Sequence, residues 1–144
     1  MLVVMVGLPG SGKSTEVAKY MKGENTVVLS SDVFREVLCG DVNDQKHNAF
    51  VFETLYKAME IALKENKDVI FDATNLTVKS RSKALALAKK YGSRTIAYVM
   101  DTPFADCLTR NANRSRSVPE DVIYSMRDRY VTPTIEEGFD NVII

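Results

Sequence analysis

Residues 7–15 read Gly-Leu-Pro-Gly-Ser-Gly-Lys-Ser-Thr, and they carry the strongest signal in the sequence. It matches the pattern G-x-x-x-x-G-K-[ST] at every fixed position. The apolar run Leu2–Val6 precedes it, and Val17 and Tyr20 follow on one face of a predicted helix. Glycines let a backbone approach phosphate groups closely, and the amides at a helix start form an anion site. The stretch therefore predicts a strand, a loop and a helix that together bind the phosphates of a nucleoside triphosphate.

Within this loop each residue type has its own chemical role. The lysine of the motif reaches the β- and γ-phosphates, and the hydroxyl that follows it holds Mg²⁺. We therefore predict ATP or another nucleoside triphosphate as the phosphate donor and Mg²⁺ as the cofactor. Lys13 is the predicted catalytic cation and Ser14 the predicted metal ligand. The predicted nucleotide contacts in the loop are Gly10, Ser11, Gly12, Lys13, Ser14 and Thr15.

Four further apolar runs follow along the chain, and helical patterns separate them. Because most of these runs show no polar alternation, they are typical of strands that are covered on both faces. Thr77 is a predicted helix N-cap, and Pro103 and Pro119 are predicted in the first turns of later helices. The 144 residues therefore predict a single α/β domain, with a P-loop NTPase-type parallel sheet of about five strands sandwiched by helices. The later runs are Thr26–Leu29, Asp68–Phe71, Thr95–Met100 and Asn141–Ile144.

Composition excludes several classes of protein. Nineteen basic and nineteen acidic residues give a net charge of zero, which argues against a binder held to nucleic acid by bulk charge. Cys39 and Cys107 lie far apart, which is typical of reduced thiols and not of a disulfide scaffold. No apolar run approaches the length of a membrane span, and Met1–Val6 is too short for a signal peptide. We predict a cytoplasmic protein without a membrane partner.

Asp72 ends the third apolar run, at the carboxyl edge of the predicted sheet. It is predicted to hold Mg²⁺ through water or to orient a neighbouring arginine. The alternative is a turn or helix-capping aspartate before Thr74 and Asn75. No Asn-Lys-x-Asp motif is present, which argues against a GTPase.

Asp32 and Arg35 follow the second run, where ligands bind in sheets of this kind. The carboxylate of Asp32 can accept a proton from an attacking hydroxyl or aim that hydroxyl at phosphorus. It also fits an N-cap or an ordinary acidic residue in the first turn of a helix, roles that are compatible with the first one. Arg35 lies three residues later on the same face, where a guanidinium can bind an acceptor phosphate through two hydrogen bonds.

Arginines also concentrate in a predicted mobile lid at residues 110–118. Arg110, Arg114 and Arg116 are predicted to close over the triphosphate and neutralise its charge, and a solvated helix face is the alternative. The stretch Glu136–Glu137 fits a solvated cap or an oligomer contact. His47 is predicted at the surface, with no partner at metal-ligand spacing. Surface solvation is also the prediction for Lys79, Arg81, Lys83, Lys89, Lys90 and Arg94.

The order of these motifs resembles the phage-type polynucleotide 5′-hydroxyl kinases. The ordered set is the phosphate loop, Ser-Asp-x-x-Arg from residue 31, Asp-x-Thr-Asn from residue 72, Arg-Asn-x-x-Arg from residue 110 and Val-Pro at 118–119. The resemblance implies a P-loop kinase that acts on 5′-hydroxyl ends of DNA or RNA in nucleic acid repair. No Asp-x-Asp-x-Thr motif is present, so 3′-phosphatase activity is not expected.

The resemblance also implies roles for individual residues. It implies that Asp32 activates the 5′-hydroxyl, that Arg35 binds a phosphate of the acceptor strand, and that Arg114 stabilises the donor phosphates. Thr74 and Asn75 join the acceptor side on the same basis. Two other functions stay open: a kinase for a small metabolite or nucleoside, and a nucleotide-dependent switch that transfers no phosphate.

Overall fold

A computed structural model describes residues 1–20, 23–114 and 117–144, and its central feature is one parallel sheet. Within the described residues the sheet has five strands in the order β2-β3-β1-β4-β5, and every pair is parallel. The predicted α/β fold of the P-loop NTPase type is therefore confirmed. The strands are Leu2–Val6 (β1), Thr26–Ser30 (β2), Asp68–Asp72 (β3), Thr95–Val99 (β4) and Asn141–Ile143 (β5).

Helices connect the strands, as the apolar spacing predicted. Thr77 caps α4 through its hydroxyl, which accepts from the backbone of Ser80 at 3.0 Å. Pro103 and Pro119 have ψ angles of 141° and 138°, so they directly precede α5 and α6 and do not lie in a first turn. Within the described ranges no helix has the length and apolarity needed to cross a membrane. The helices are Lys13–Tyr20 (α1), Ser31–Cys39 (α2), Asn48–Lys64 (α3), Val78–Lys90 (α4), Phe104–Ala112 (α5) and Glu120–Arg129 (α6).

The two faces of the sheet are covered unequally. On one face, buried side chains of α3 and α4, including Leu55 and Met59, pack around Phe71 in the larger hydrophobic core. On the other face, Val17 of α1 packs against Met5 in a smaller cluster. Because successive side chains of a strand point to opposite faces, β1 contributes to both cores.

The carboxyl ends of β1, β2 and β3 bring the predicted site residues to one edge of the sheet. The backbone N–H of Gly7, just after β1, donates to the carbonyl of Thr74, just after β3, at 3.0 Å. Ser30 at the end of β2 lies in register with Asp72 at the end of β3. The phosphate loop, the start of α2 and the aspartate of β3 are therefore neighbours.

Arg81 differs from the prediction of a solvated surface residue. Its side chain is fully buried, and its Nε and Nη2 atoms each donate to an oxygen of Glu137 at 2.8 Å. Its Nη1 atom donates to the carbonyl of Asn75 at 2.8 Å. Glu137 also accepts from the backbone N–H of Thr134 at 3.0 Å, so it has the predicted capping role, but it is buried with Arg81 and not solvated. The pair joins α4 to the short 3₁₀ helix Ile135–Glu137.

Candidate active site

The shape of the phosphate loop depends on close packing against α5. Gly10 has a φ of 80°, and a Cβ atom there would collide with the carbonyl oxygen of Cys107. Gly12 has a φ of 93°, and a Cβ atom there would lie 3.5 Å from Nη1 of Arg110. Ser11 is buried between them, and its carbonyl accepts from the hydroxyl of Thr102 at 2.7 Å. The glycines therefore allow α5 to bring Arg110 beside the loop.

Lys13 folds back over the loop. Its Nζ atom donates to the carbonyls of Gly7 at 3.0 Å and Leu8 at 3.2 Å. Burial lowers the pKa of Lys13, while the negative charges of Asp72 and Asp32 raise it. The positive charge of Arg114 lowers that pKa further. Asp32 and Arg114, the other two residues predicted to be catalytic, therefore each lie within electrostatic range of Lys13.

Ser14 and Asp72 meet at the start of α1. The hydroxyl of Ser14 donates to Oδ2 of Asp72 at 3.2 Å, and Asp72 is 7% exposed. Burial raises the pKa of Asp72, against the opposing effects of the Lys13 charge and the Ser14 hydrogen bond. The alternative of a helix cap does not apply, because Thr77 caps α4. Oxygen donors of this kind suit Mg²⁺, so the residues fit the predicted metal site.

The start of α2 holds a charged pair at the same edge. Ser30 is the N-cap and accepts from the backbone N–H of Val33 at 3.4 Å, so Asp32 has no capping role. Arg35 shares one helix face with Asp32, as the spacing of three residues predicted, and its Nη1 atom donates to Oδ1 of Asp32 at 3.1 Å. The Asp32 side chain is 49% exposed, whereas that of Arg35 is 8% exposed. One partner therefore faces solvent and the other lies beneath it.

Asn48 completes this arrangement, and sequence reasoning missed it. Arg35 donates from Nη2 to Oδ1 of Asn48, the first residue of α3, at 2.6 Å. The Nε atom of Arg35 is buried and finds no hydrogen-bond partner among the described residues. The packing of α2 against α3 creates the contact, and no spacing within one helix indicates it. Sequence reasoning gave only a helical pattern between the second and third apolar runs.

One buried side chain, that of Asn111, connects the two ends of the predicted lid. Asn111 of α5 donates from Nδ2 to the carbonyl of Val118 at 2.7 Å, and its Oδ1 atom accepts from the Val118 N–H at 3.0 Å. Arg110 lies in the last turn of α5 and Arg114 follows the helix, and both residues are exposed. Arg116, the third predicted arginine, lies outside the described residues. Closure of these arginines over a triphosphate stays a prediction.

Asn75 does not have the predicted acceptor-side position. It is 4% exposed, and its Nδ2 atom donates to the carbonyls of Met5 at 2.8 Å and Ala73 at 3.3 Å. Both amide protons are thereby used on backbone oxygens, so the side chain fastens the β3–α4 loop to β1. Thr74 is half-buried beside it, and its role at the acceptor stays a prediction. Thr15 is exposed in the first turn of α1.

A cavity of about 360 Å³ opens beside the phosphate loop. Leu8, Phe104 and Tyr130 contribute to its lining. Arg127 also lines it, with its guanidinium carbon 4.4 Å from the centre of the Phe104 ring. A larger hollow of about 980 Å³ lies by α4 and the start of β4, and none of the predicted site residues lines it. The smaller cavity is therefore the one associated with the site.

Comparison with known proteins indicates kinases. Residues 2–133 match a family model described as an AAA domain. The chain is 28% identical over 145 residues to the L-seryl-tRNA(Sec) kinase of Methanococcus maripaludis. This match covers 97% of this chain and 56% of that protein. It is 27% identical over 148 residues to the bifunctional polynucleotide phosphatase/kinase of Schizosaccharomyces pombe. That match covers 98% of this chain and 32% of the other protein.

A solved structure extends the comparison. A chain from the Pnkp1/Rnl/Hen1 RNA repair complex matches with a TM-score of 0.77 and 25% identity. The match covers 89% of this chain and 43% of that one. The chain therefore spans about half of these relatives' length or less, while the relatives cover nearly all of it.

Proposed function

This chain is a P-loop kinase that belongs to the AAA domain family, and we propose that it transfers the γ-phosphate of ATP to the 5′-hydroxyl end of a polynucleotide. One observation carries the choice of acceptor. The buried guanidinium of Arg35 lies directly beneath the half-exposed carboxylate of Asp32. A group that can engage a hydroxyl and a group that can bind a phosphate are therefore neighbours at the open edge of the sheet.

On the donor side, the phosphate loop holds the triphosphate. Its backbone amides and the start of α1 bind phosphate oxygens, and Lys13 exchanges its carbonyl partners for the β- and γ-phosphates. Ser14 and Asp72 would hold Mg²⁺, which neutralises charge on the phosphates. Arg110 and Arg114 approach the same phosphates from α5 and its continuation. Together these residues position the γ-phosphorus and offset its charge.

On the acceptor side, Asp32 orients the attacking hydroxyl. A bond forms between the 5′-oxygen and the γ-phosphorus while the bond from that phosphorus to the β,γ-bridging oxygen breaks. The hydroxyl proton passes to the Asp32 carboxylate, and ADP leaves with the bridging oxygen. Because the transition state of phosphoryl transfer is loose, positioning contributes more than strong basicity.

Arg35 favours an acceptor that carries a phosphate next to the reacting nucleoside. Its Nη1 and Nη2 atoms are already held by Asp32 and Asn48, so the planar guanidinium is ordered before substrate arrives. An ordered guanidinium loses little conformational entropy when it binds a phosphate. An internucleotide phosphate supplies such a group, and a bare nucleoside does not.

The second candidate is a kinase for a hydroxyl on an aminoacylated RNA or a small metabolite. The match to the L-seryl-tRNA(Sec) kinase over 97% of the chain favours it. Asp32 would orient the hydroxyl in the same way for either acceptor. The two candidates differ in the role of Arg35, which only the first one assigns to a phosphate beside the reacting nucleoside.

An acceptor panel tests the proposal directly. ATP labelled in the γ-phosphate is offered with a 5′-hydroxyl DNA, a 5′-hydroxyl RNA, a 3′-nucleotide, a nucleoside and a seryl-tRNA. We expect transfer to the two polynucleotides and the 3′-nucleotide, and poor transfer to the nucleoside. Asp32→Asn should keep ATP binding and lose about 10²–10⁴-fold in turnover, because the amide cannot accept the proton.

Asp121→Asn is the matched control, because Asp121 is also an acidic residue in the first turn of a helix and is exposed. It should transfer phosphate at the wild-type rate. Equal use of nucleoside and oligonucleotide, or a preference for seryl-tRNA, would replace the polynucleotide proposal with the second candidate. ATP binding without transfer to any acceptor, with Asp32→Asn unchanged, would indicate a nucleotide-dependent switch.

A further inference from the structure

We propose that Cys39, Asp44 and His47 form a binding site for a zinc-class divalent ion between α2 and α3. The three side chains each offer one ligand atom, and these atoms lie within 4.8 Å of one another. Within residues 1–20, 23–114 and 117–144 no other group of three such side chains converges in this way. The spacing is Cys-x₄-Asp-x₂-His, so the prediction that His47 has no partner at metal-ligand spacing missed Cys39 and Asp44.

The loop between the two helices already orients two of the ligands. Oδ1 of Asp44 accepts from the backbone N–H groups of Lys46 at 2.8 Å and His47 at 3.1 Å. Its other oxygen, Oδ2, forms a hydrogen bond of 3.0 Å with Nδ1 of His47, and the proton of that bond leaves when the two atoms bind an ion. That distance is close to the roughly 3.3 Å between two ligand atoms of a tetrahedral zinc ion. Asp44 can therefore offer one oxygen to an ion while the turn holds the other.

Cys39 supplies the third ligand from the end of α2. Gly40 follows it with a φ of 73° and turns the chain away from the helix axis. To reach tetrahedral bond lengths the sulfur needs to approach the other two ligands by at most about 1 Å, a movement within the scope of a short exposed loop. The fourth position would belong to water, because the His47 side chain is 61% exposed.

The donor set selects the kind of ion. A thiolate, an imidazole and one carboxylate oxygen suit Zn²⁺ and related borderline ions, whereas Mg²⁺ prefers oxygen ligands. The site is therefore chemically distinct from Ser14 and Asp72. It also has a structural consequence, because His47 directly precedes Asn48, which holds Arg35. An ion here would fasten the end of α2 to the start of α3.

Cobalt(II) titration of the metal-free protein is the test, with cobalt(II) as a spectroscopic probe for zinc. We expect binding of one ion per chain, with the thiolate-to-cobalt charge-transfer band and the visible bands of a tetrahedral site. Excess Mg²⁺ should leave the spectrum unchanged, and Zn²⁺ should displace the cobalt. Zn²⁺ should also raise the unfolding temperature of the protein without nucleotide.

Substitutions assign the ligands. Cys39→Ser should abolish the charge-transfer band, and His47→Ala should weaken binding by more than the roughly 10–100-fold that an outer-shell partner contributes. Asp44→Asn should weaken binding as well. Asp41→Asn and Cys107→Ser are controls for an acidic residue of the same loop and for the other thiol, and both should bind like wild type. Circular dichroism checks that each variant is folded.

Three results would overturn the proposal. The first is the absence of a charge-transfer band in the folded wild-type protein. The second is a band that survives Cys39→Ser but is lost in Cys107→Ser. The third is equal affinity of wild type and His47→Ala, which would indicate binding through the thiol alone.

Discussion

Two arginines of this protein are buried to a similar degree, yet their partners differ. Arg81 is fully buried, and both of its partners, the Glu137 carboxylate and the Asn75 carbonyl, are buried as well. Arg35 is 7% exposed, but Asp32 and Asn48 lie at the surface and its Nε atom is unpartnered among the described residues. The Arg81 pair is enclosed by protein, whereas the Arg35 group opens toward solvent.

This difference separates a structural charge from one that is available to a ligand. Removing one member of an enclosed pair leaves the other buried and uncompensated, which destabilises the fold. Removing a charge beside exposed partners lets water solvate them, so the fold loses little. Arg81 should therefore affect stability and Arg35 should affect activity.

The largest effect should come from Arg81→Ala. The substitution strands the Glu137 carboxylate in the interior, so we expect a loss of about 3–5 kcal/mol in the free energy of unfolding. Urea denaturation followed by circular dichroism measures it. Transfer per folded molecule should change much less, since Arg81 has no predicted contact with substrate.

A double variant controls for this interpretation. Arg81→Met combined with Glu137→Leu removes both charges and fills the space with apolar atoms, so it should recover most of the lost stability. Because Glu137 also accepts from the backbone N–H of Thr134 at 3.0 Å, a double variant as unstable as Arg81→Ala would mean that the hydrogen bonds to Asn75 and Thr134, and not the ion pair, stabilise the fold.

Arg35→Ala should have the next largest effect, on transfer. Loss of hydrogen bonds from a charged group to a phosphate costs about 1.5–3 kcal/mol, so kcat/KM for the oligonucleotide should fall about 10–100-fold. Transfer to a nucleoside should change little. The loss in the free energy of unfolding should be smaller than for Arg81→Ala, because Asp32 is half-exposed.

Two neighbouring variants sharpen the assignment. Arg35→Lys keeps the charge but loses the planar fork, so its activity should lie between wild type and Arg35→Ala. Asn48→Ala frees one nitrogen of the guanidinium and should reduce kcat/KM less than Arg35→Ala does. An equal loss on oligonucleotide and nucleoside for Arg35→Ala would show that Arg35 acts through Asp32 and not through an acceptor phosphate.

The smallest effect concerns Asp72 and the pH dependence of stability. Burial raises the pKa of Asp72 above its ordinary value of 3.8, so the folded state favours the protonated form. That stabilisation is present below the ordinary pKa and is lost as the pH rises through the raised one. Asp72→Asn cannot ionise, so it should lose less stability than wild type as the pH rises from the ordinary pKa towards neutrality.

Urea unfolding across that range, without nucleotide or Mg²⁺, measures the difference. Repeating it in a Lys13→Met background should enlarge the difference, because the Lys13 charge lowers the pKa of Asp72. Asp106→Asn, an exposed acidic residue of α5, should follow wild type. Parallel stability curves for wild type and Asp72→Asn would contradict the effect of burial.

Strands, the phosphate loop and shared helix faces could be predicted from the sequence, because they depend on residues close together in the chain. Uninterrupted apolar runs predicted all five strands of the described part to within a residue or two at each end. The glycine and lysine spacing of residues 7–15 predicted the loop, and the Asp32 to Arg35 spacing predicted that the two side chains share one helix face, where the structure shows that they form an ion pair. Turn and helix geometry repeats over a few residues, so these relations can be read directly.

Hydrogen-bond partners that lie far apart in the chain became known only from the three-dimensional structure. Arg81 reads as one of several scattered basic residues, yet Glu137, 56 positions later, makes it part of the interior. Asn75 fits a binding motif, yet its side-chain amide donates to the carbonyl of Met5, 70 positions earlier. Such pairs arise because a parallel sheet brings distant strands and helices together, and burial then requires each polar group to find a partner.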